Sequence, residues 1–238
     1  MNFIFSTYFS KPNGFSQHDC TERCKKDDFS LMEGWYTSLH EENLQSVVFH
    51  NELSDDFVEM FTSKNCKFLF HECKNRKSYN DERFFCYLNY LKNHTEIDKV
   101  MMTDMFDVSF CGNPFEMMDE NDIYVGSEVK NAKRKWVKDK LKESNLPVVG
   151  MPVIYNAGIL GGDRIVMIRF LEDLCKVLRG CPFDVNANMG AFNYLLSSMN
   201  RYRCVEGIIK CPKIRTGLPL HNEFRTFKNP DNAYIIHK

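Results

Sequence analysis

KVMMTDMFDVSF, residues 99–110, is the stretch on which the reading of the chain turns. It opens apolar at Val100, Met101 and Met102, places two carboxylates, Asp104 and Asp107, and turns apolar again at Val108 and Phe110. A short apolar run ending in acids describes a buried strand that delivers carboxylates to its carboxyl end. Open α/β sheets bind ligands at that end. Two hard oxygen ligands on one loop suit Mg²⁺ or Mn²⁺, which can bridge to the phosphates of a nucleotide. The same pattern also fits a strand followed by a solvated acidic turn, because D-x-x-D is common.

Upstream, the apolar and aromatic residues from Met1 to Phe9 predict a first strand, closed by the turn residues Lys11 to Gly14. Thr7 would lie at its carboxyl end, where a base or ribose rests in a nucleotide-binding α/β domain. Leu31, Trp35 and Leu39 predict a helix over 31–43, QSVVFH over 45–50 a second strand, and KFLFH over 67–71 a third. Ser54 is placed to cap a helix through Phe57, Val58 and Phe61. A further helix is expected over 79–93, capped by Asn80 or Asp81, with Phe84, Phe85, Leu88 and Leu91 on one face. Arg83 falls in its first turn, against the helix dipole. Either an anionic or hydroxyl-bearing ligand or a salt bridge to a nearby acid accounts for it.

Downstream, IYVGS over 123–127 predicts another strand, and residues 130–142 carry seven Lys/Arg on a candidate helix, read as a solvated face. In YNAGILGGD, residues 155–163, three glycines lie among apolar residues. They either let backbone approach a ligand such as a sugar ring or form a tight strand-turn-helix connection. Helices are expected over 164–179 and 184–199, the second opening on Asp184, Asn186 and Asn188, where capping explains one side chain better than three. The sequence closes on NAYIIHK, where a histidine is usually a disordered surface residue, although the apolar run before it could dock His237. The alternation of strands and helices argues for an α/β fold with a mostly parallel central sheet flanked by helices.

The bulk numbers narrow the function. With 238 residues, 43% hydrophobic, and no visible linker or repeat, one domain over 1–238 is expected. The net charge of −1 supplies no electrostatic footprint for nucleic acid. The ten cysteines contain no C-x-x-C pair, which points to reduced thiols rather than zinc. No signal peptide is visible and no apolar run reaches the roughly 18 residues of a membrane span, so a cytoplasmic, soluble protein is expected.

Taken in order, the segments TDMFDV, NPF, YNAGILGG, NMGAFN and IIHK, with NDERF at 80–84, resemble a metal-dependent GT-A glycosyltransferase. The similarity is closest to the small stand-alone transferases of large algal viruses and some bacteria. The resemblance implies a GT-A, Rossmann-like domain that moves a sugar from a nucleotide diphosphate sugar, a UDP-sugar, to a hydroxyl of a glycan or glycoside acceptor, with Mn²⁺ or Mg²⁺. It casts Asp104 and Asp107 as the family's D-x-D, although two residues separate these acids where D-x-D has one. Asp107 is the favoured direct metal ligand. His237 would be the third ligand, with His221 as the competitor, and Lys238 would meet the diphosphate. Thr7 and Arg83 would contact the nucleotide, and Asn156, Ala157, Gly158, Gly161 and Gly162 would line the donor sugar. Asp184 is the first candidate for the base, and Asn188 stands where many GT-A relatives carry an acid.

Two other classes share these features. A sugar nucleotidyltransferase can have a similar sheet, but it favours a glycine-rich basic loop after the first strand, and SKPNGFS has one Gly and one Lys. A non-catalytic carbohydrate-binding relative would not need the acids and the histidine to converge in space.

Overall fold

The central sheet is built outward from β1 (Asn2–Tyr8). In the computed structural model, which describes residues 1–10, 26–127, 134–150, 154–198, 214–215, 220–222 and 234–237, β1 pairs in parallel with β2 (Ser46–His50) on one side and β4 (Lys99–Thr103) on the other. Beyond β2 lies β3 (Cys66–Phe70), also parallel. Beyond β4 come β7 (Tyr155–Asp163), antiparallel to it, then β6 (Ile123–Ser127) and the short β8 (Ile214–Arg215). The order is β3-β2-β1-β4-β7-β6-β8, with β7 running against the others. The fold is therefore α/β with a mostly parallel sheet, as expected. Its strand order reverses between β1 and β4, where the carboxyl ends of parallel strands open a crevice.

The strands read as continuous apolar runs because helices cover both faces. Ile4, Val48 and Met101 face Trp35 and Leu39 of helix α1 (Glu33–Glu41) and Phe57 of α2 (Asp55–Phe61). The alternate residues Phe5, Val47, Phe49, Val100 and Met102 face the other way. They pack with Phe84, Leu88 and Leu91 of α3 (Tyr79–Asn93), Phe170 and Leu174 of α5 (Arg164–Gly180), and Phe192 and Leu195 of α6 (Asn188–Ser198). Helix α4 (Arg134–Glu143) joins this layer through Val137 and Leu141, while Lys135 pairs with Asp139 and Lys140 with Glu143 in solvent. The part of the basic run at 130–133 lies outside the described residues, as do the turn at Lys11 to Gly14 and four of the ten cysteines. The described cysteines are all free thiols.

Three local expectations change. Ser54 does cap α2, accepting from Phe57 N–H at 3.2 Å. Helix α3, however, begins after Ser78 with no side-chain cap, and Asp81 turns away to another helix. Helix α6 starts at Asn188 rather than Asp184. The glycines of YNAGILGGD form no turn: all three lie within β7, whose pairing with β6 shifts register across residues 157–159. Gly161 and Gly162 are small because a Cβ on Gly161 would meet Met101 and Met118 at 2.8 Å, and one on Gly162 would meet the Asp122 carbonyl oxygen at 2.7 Å.

These contacts set opposite signs for two alanine substitutions. Gly162→Ala drives a methyl into backbone and should destabilise by about 1–3 kcal/mol. Gly34→Ala, in the first turn of α1 with nothing within 4 Å of its Cβ position, should stabilise by up to about 1 kcal/mol. Urea midpoints of the two variants check both.

Candidate metal centre

A small second sheet assembles the site. In it β10 (Ile235–His237) lies between β5 (Val108–Phe110), antiparallel, and β9 (Leu220–Asn222), parallel. The register sets His237 opposite Val108, next in sequence to Asp107. Ile235 is fully buried in the core, and the Tyr234 carbonyl accepts from Cys111 N–H at 2.9 Å. The Tyr234 ring lies where a side chain on Gly112 would sit, with a Cβ there only 2.9 Å from it. The apolar residues before His237 thus dock it, so it is not the surface residue that a histidine so late in a sequence usually is.

The other half of the site comes from the end of β4. Thr103 is pinned from both sides: its hydroxyl oxygen accepts from Trp35 Nε1 at 2.9 Å, and its carbonyl accepts from the Ser6 hydroxyl at 2.8 Å. The next residue is Asp104, whose backbone N–H donates to the Gly158 carbonyl at 2.8 Å. One oxygen of Asp104, Oδ1, takes the Arg83 guanidinium; the other, Oδ2, faces His237. His237 Nε2 lies 3.6 Å from Asp104 Oδ2 and 3.3 Å from Asp107 Oδ1. Ligand atoms of all three residues lie within 4.8 Å of one another. His237 is buried, while Asp104 and Asp107 remain partly open to solvent. Burial alone would push the Asp104 carboxyl up, but Arg83 and His237 beside it outweigh that and hold it below the ordinary aspartate value.

Arg83 is itself buried, and its second branch donates to the Ala157 carbonyl at 3.0 Å. Burial opposes its charge, but Asp104, Tyr87 and Asp81 together outweigh burial and raise its pKa. Arg83 therefore orients a carboxylate and couples β4 to β7. Of the two explanations open for a cation in that turn, the structure contains the ion pair, and the acid is Asp104 rather than a neighbour on the helix.

Asn156, Ala157 and Gly158 border this cluster. The Asn156 side-chain oxygen accepts from Gly158 N–H at 2.5 Å. A Cβ on Gly158 would overlap Asp104 Oδ2 and come 2.5 Å from His237 Cε1. Gly158 is the one glycine of the run whose bareness serves the site. Gly161 and Gly162 pair with Met101 and Val100 in the body of the sheet, away from the end of β4 and outside the Asp104, Asp107 and His237 cluster. Thr7 sits at the end of β1, across the strand-order reversal from Asp104.

Asp184 lies in an exposed turn ahead of α6 and is not its cap. Asp81 from α3 takes that role: its carboxylate accepts from Ala187 N–H at 3.2 and 3.1 Å. Asn188 is buried as the first residue of α6, its side-chain oxygen accepting from Met189 N–H at 2.5 Å. His221 lies in β9 at the register position of Ile236, one residue off His237; its side chain and the whole of Lys238 fall outside the described residues.

Sequence reading missed Arg76, Glu82 and Asn193. Glu82, fully buried, accepts from the backbone N–H groups of Lys74, Asn75 and Arg76 at 3.3, 2.9 and 2.7 Å. The Asn193 amide receives Tyr155 N–H at 2.8 Å and donates to the Tyr155 carbonyl at 2.9 Å, which fastens β7 to α6 just before the site. For Glu82 the available signal was Asp81-Glu82-Arg83 itself, three consecutive charges directly before the apolar Phe84 and Phe85.

Two carboxylates and an imidazole converging from separate elements fit a divalent cation. Each of the three residues offers one ligand atom, two carboxylate oxygens and an imidazole nitrogen. Gly158→Ala should leave the fold in place but weaken Mn²⁺ binding by about 10- to 100-fold, because its methyl displaces two ligands. Lowering the pH should weaken binding in the wild type too, since each ligand must shed its proton to coordinate. Calorimetric Mn²⁺ titrations at two pH values check both. No protein-family model matches the chain and no curated protein matches it, so the chemistry of the site is read from its own side chains.

Proposed function

We propose that the chain is a metal-dependent glycosyltransferase of the GT-A type, transferring a sugar from a UDP-sugar to a hydroxyl of a glycan or glycoside acceptor. The observation that carries this reading is the convergence of Asp104, Asp107 and His237 at the end of β4, beside the strand-order reversal where Thr7 ends β1. Ligands bind at such a reversal in open α/β sheets. A Mn²⁺ ion held by the three residues would neutralise charge developing on a diphosphate leaving group.

The chain's own residues divide the remaining work. Arg83 holds Asp104 so that one carboxylate oxygen is turned to the site. The 156–158 segment of β7 offers backbone and an amide, and Gly158 leaves the room that Asp104 and His237 occupy against the strand. Thr7 marks the nucleotide end, and Lys238, next in sequence to His237, is the candidate for the diphosphate. Asn188 is uncharged and can orient a hydroxyl but cannot take its proton; Asp184 is exposed and remains the carboxylate to test. Among the described residues no helix is long and apolar enough to cross a membrane, which suits a donor and acceptor met in water.

Calorimetric titration with UDP, with and without Mn²⁺, tests this directly. Metal-dependent binding that disappears in Asp107→Ala is expected, as is release of UDP from the cognate UDP-sugar. If UDP does not bind under either condition, the UDP assignment fails.

A further inference from the structure

Residues 181–187, between α5 and α6, are tied down more heavily than a surface connection requires. The buried Arg76 guanidinium donates to the Cys181 carbonyl at 2.9 Å, the Pro182 carbonyl at 2.6 Å and the Val185 carbonyl at 3.0 Å, while its Nε reaches Asp81 at 3.3 Å. Lys77 N–H donates to the Phe183 carbonyl at 3.3 Å. The Asp81 carboxylate receives Ala187 N–H at the far end. A buried ion pair thus holds the backbone of this loop from beneath at both ends and in the middle.

Two side chains project from that fixed backbone. Phe183 is 56% exposed, and Asp184 beside it is exposed as well. A single exposed Phe is ordinary on a protein surface. This one differs in its mounting and its place. Asp81 and Arg83 share the first turn of α3: Asp81 holds this loop, and Arg83 holds Asp104 and Ala157. Strand β7 ends beside the start of β4, α5 then runs back from Leu91 to Arg76 at the far end of α3, and Met189, two residues past the loop, receives Ala157 N–H, so the loop stands at the same edge of the sheet as the metal centre. Phe106, the exposed aromatic between the two acids, packs on Tyr8 and belongs to the centre itself, and Phe70 ends the outermost strand β3. Among the described residues, Phe183 is the exposed ring that the metal centre and its nucleotide side leave unused.

We propose that residues 181–187 form the acceptor wall of the site, with Phe183 as an aromatic platform for the apolar face of a saccharide ring and Asp184 as an acceptor for its hydroxyls. A rigid aromatic next to a carboxylate suits a pyranose, which presents C–H groups on its faces and hydroxyls around its rim. The fixed backbone lowers the ordering cost of binding. The proposal rests on the glycosyltransferase reading for the word acceptor, but saccharide binding at Phe183 is testable without it.

The test is saturation-transfer NMR on the full chain with the methyl α- and β-glycosides of glucose, galactose, mannose and xylose, alongside UDP titration in Mn²⁺. At least one glycoside should bind the wild type. Phe183→Ala should weaken that binding about tenfold while leaving UDP affinity unchanged, and Phe183→Tyr, which keeps the ring, should retain it. Equal glycoside binding by wild type and Phe183→Ala overturns the proposal, and so does a wild type that binds none of the glycosides. Phe183-dependent glycoside binding without any UDP binding keeps the saccharide wall and removes the transferase reading alone. Because Phe183 is largely exposed, its loss should not unfold the chain, and an unchanged thermal midpoint verifies this.

Discussion

Arg83 is the interaction on which the arrangement depends. It spans from α3 to Asp104 at the end of β4 and to Ala157 in β7, which run antiparallel to each other. Burying a guanidinium costs several kcal/mol unless its charge and donors are met. Here the Asp104 carboxylate meets the charge and the Ala157 carbonyl a second donor, while Nε has no hydrogen-bond partner among the described residues. The residues before it are buried charges as well, and each answers to a different part of the chain. Glu82 gathers residues 74–76, and Asp81 joins Arg76 to the start of α6. One helical turn therefore fixes three segments that carry no regular hydrogen-bond ladder of their own. Breaking any one of these links would leave a charge buried without its partner, so the turn behaves as a unit.

The same turn explains how far the sequence could be read. Strand and helix existence followed from apolar runs and helical spacing, and β2, α2, α3 and β6 fell close to where those patterns put them. Such patterns report burial, and burial here is two-sided and regular. The acid pair and the terminal histidine were also legible, because residue type and position near a strand end carry their chemistry locally. What escaped was the partner of each charge. Asp81 looked like a cap for its own helix because capping is a local rule, yet its carboxylate serves a helix more than a hundred residues on, at Ala187. Ala157 and Gly158 act partly through backbone carbonyls, which no side-chain pattern reveals. The glycine run misled for a related reason: glycine marks close approach without saying what approaches. At Gly158 it is the metal centre; at Gly161 and Gly162 it is the packing of methionines and a neighbouring carbonyl.

The three ligand candidates also differ in how firmly they are held. Asp104 follows a strand in the middle of the sheet, whereas His237 hangs on β10, a strand of three residues paired with two equally short neighbours. Its pairing with Val108 joins points separated by more than half the chain's length. Short strands with few buried residues open at lower free energy than the core around them. A bound cation would favour the closed form by mass action, stitching β10 to the loop after β4. Amide hydrogen exchange along 235–237 would then slow as the site fills, ahead of any change in the core.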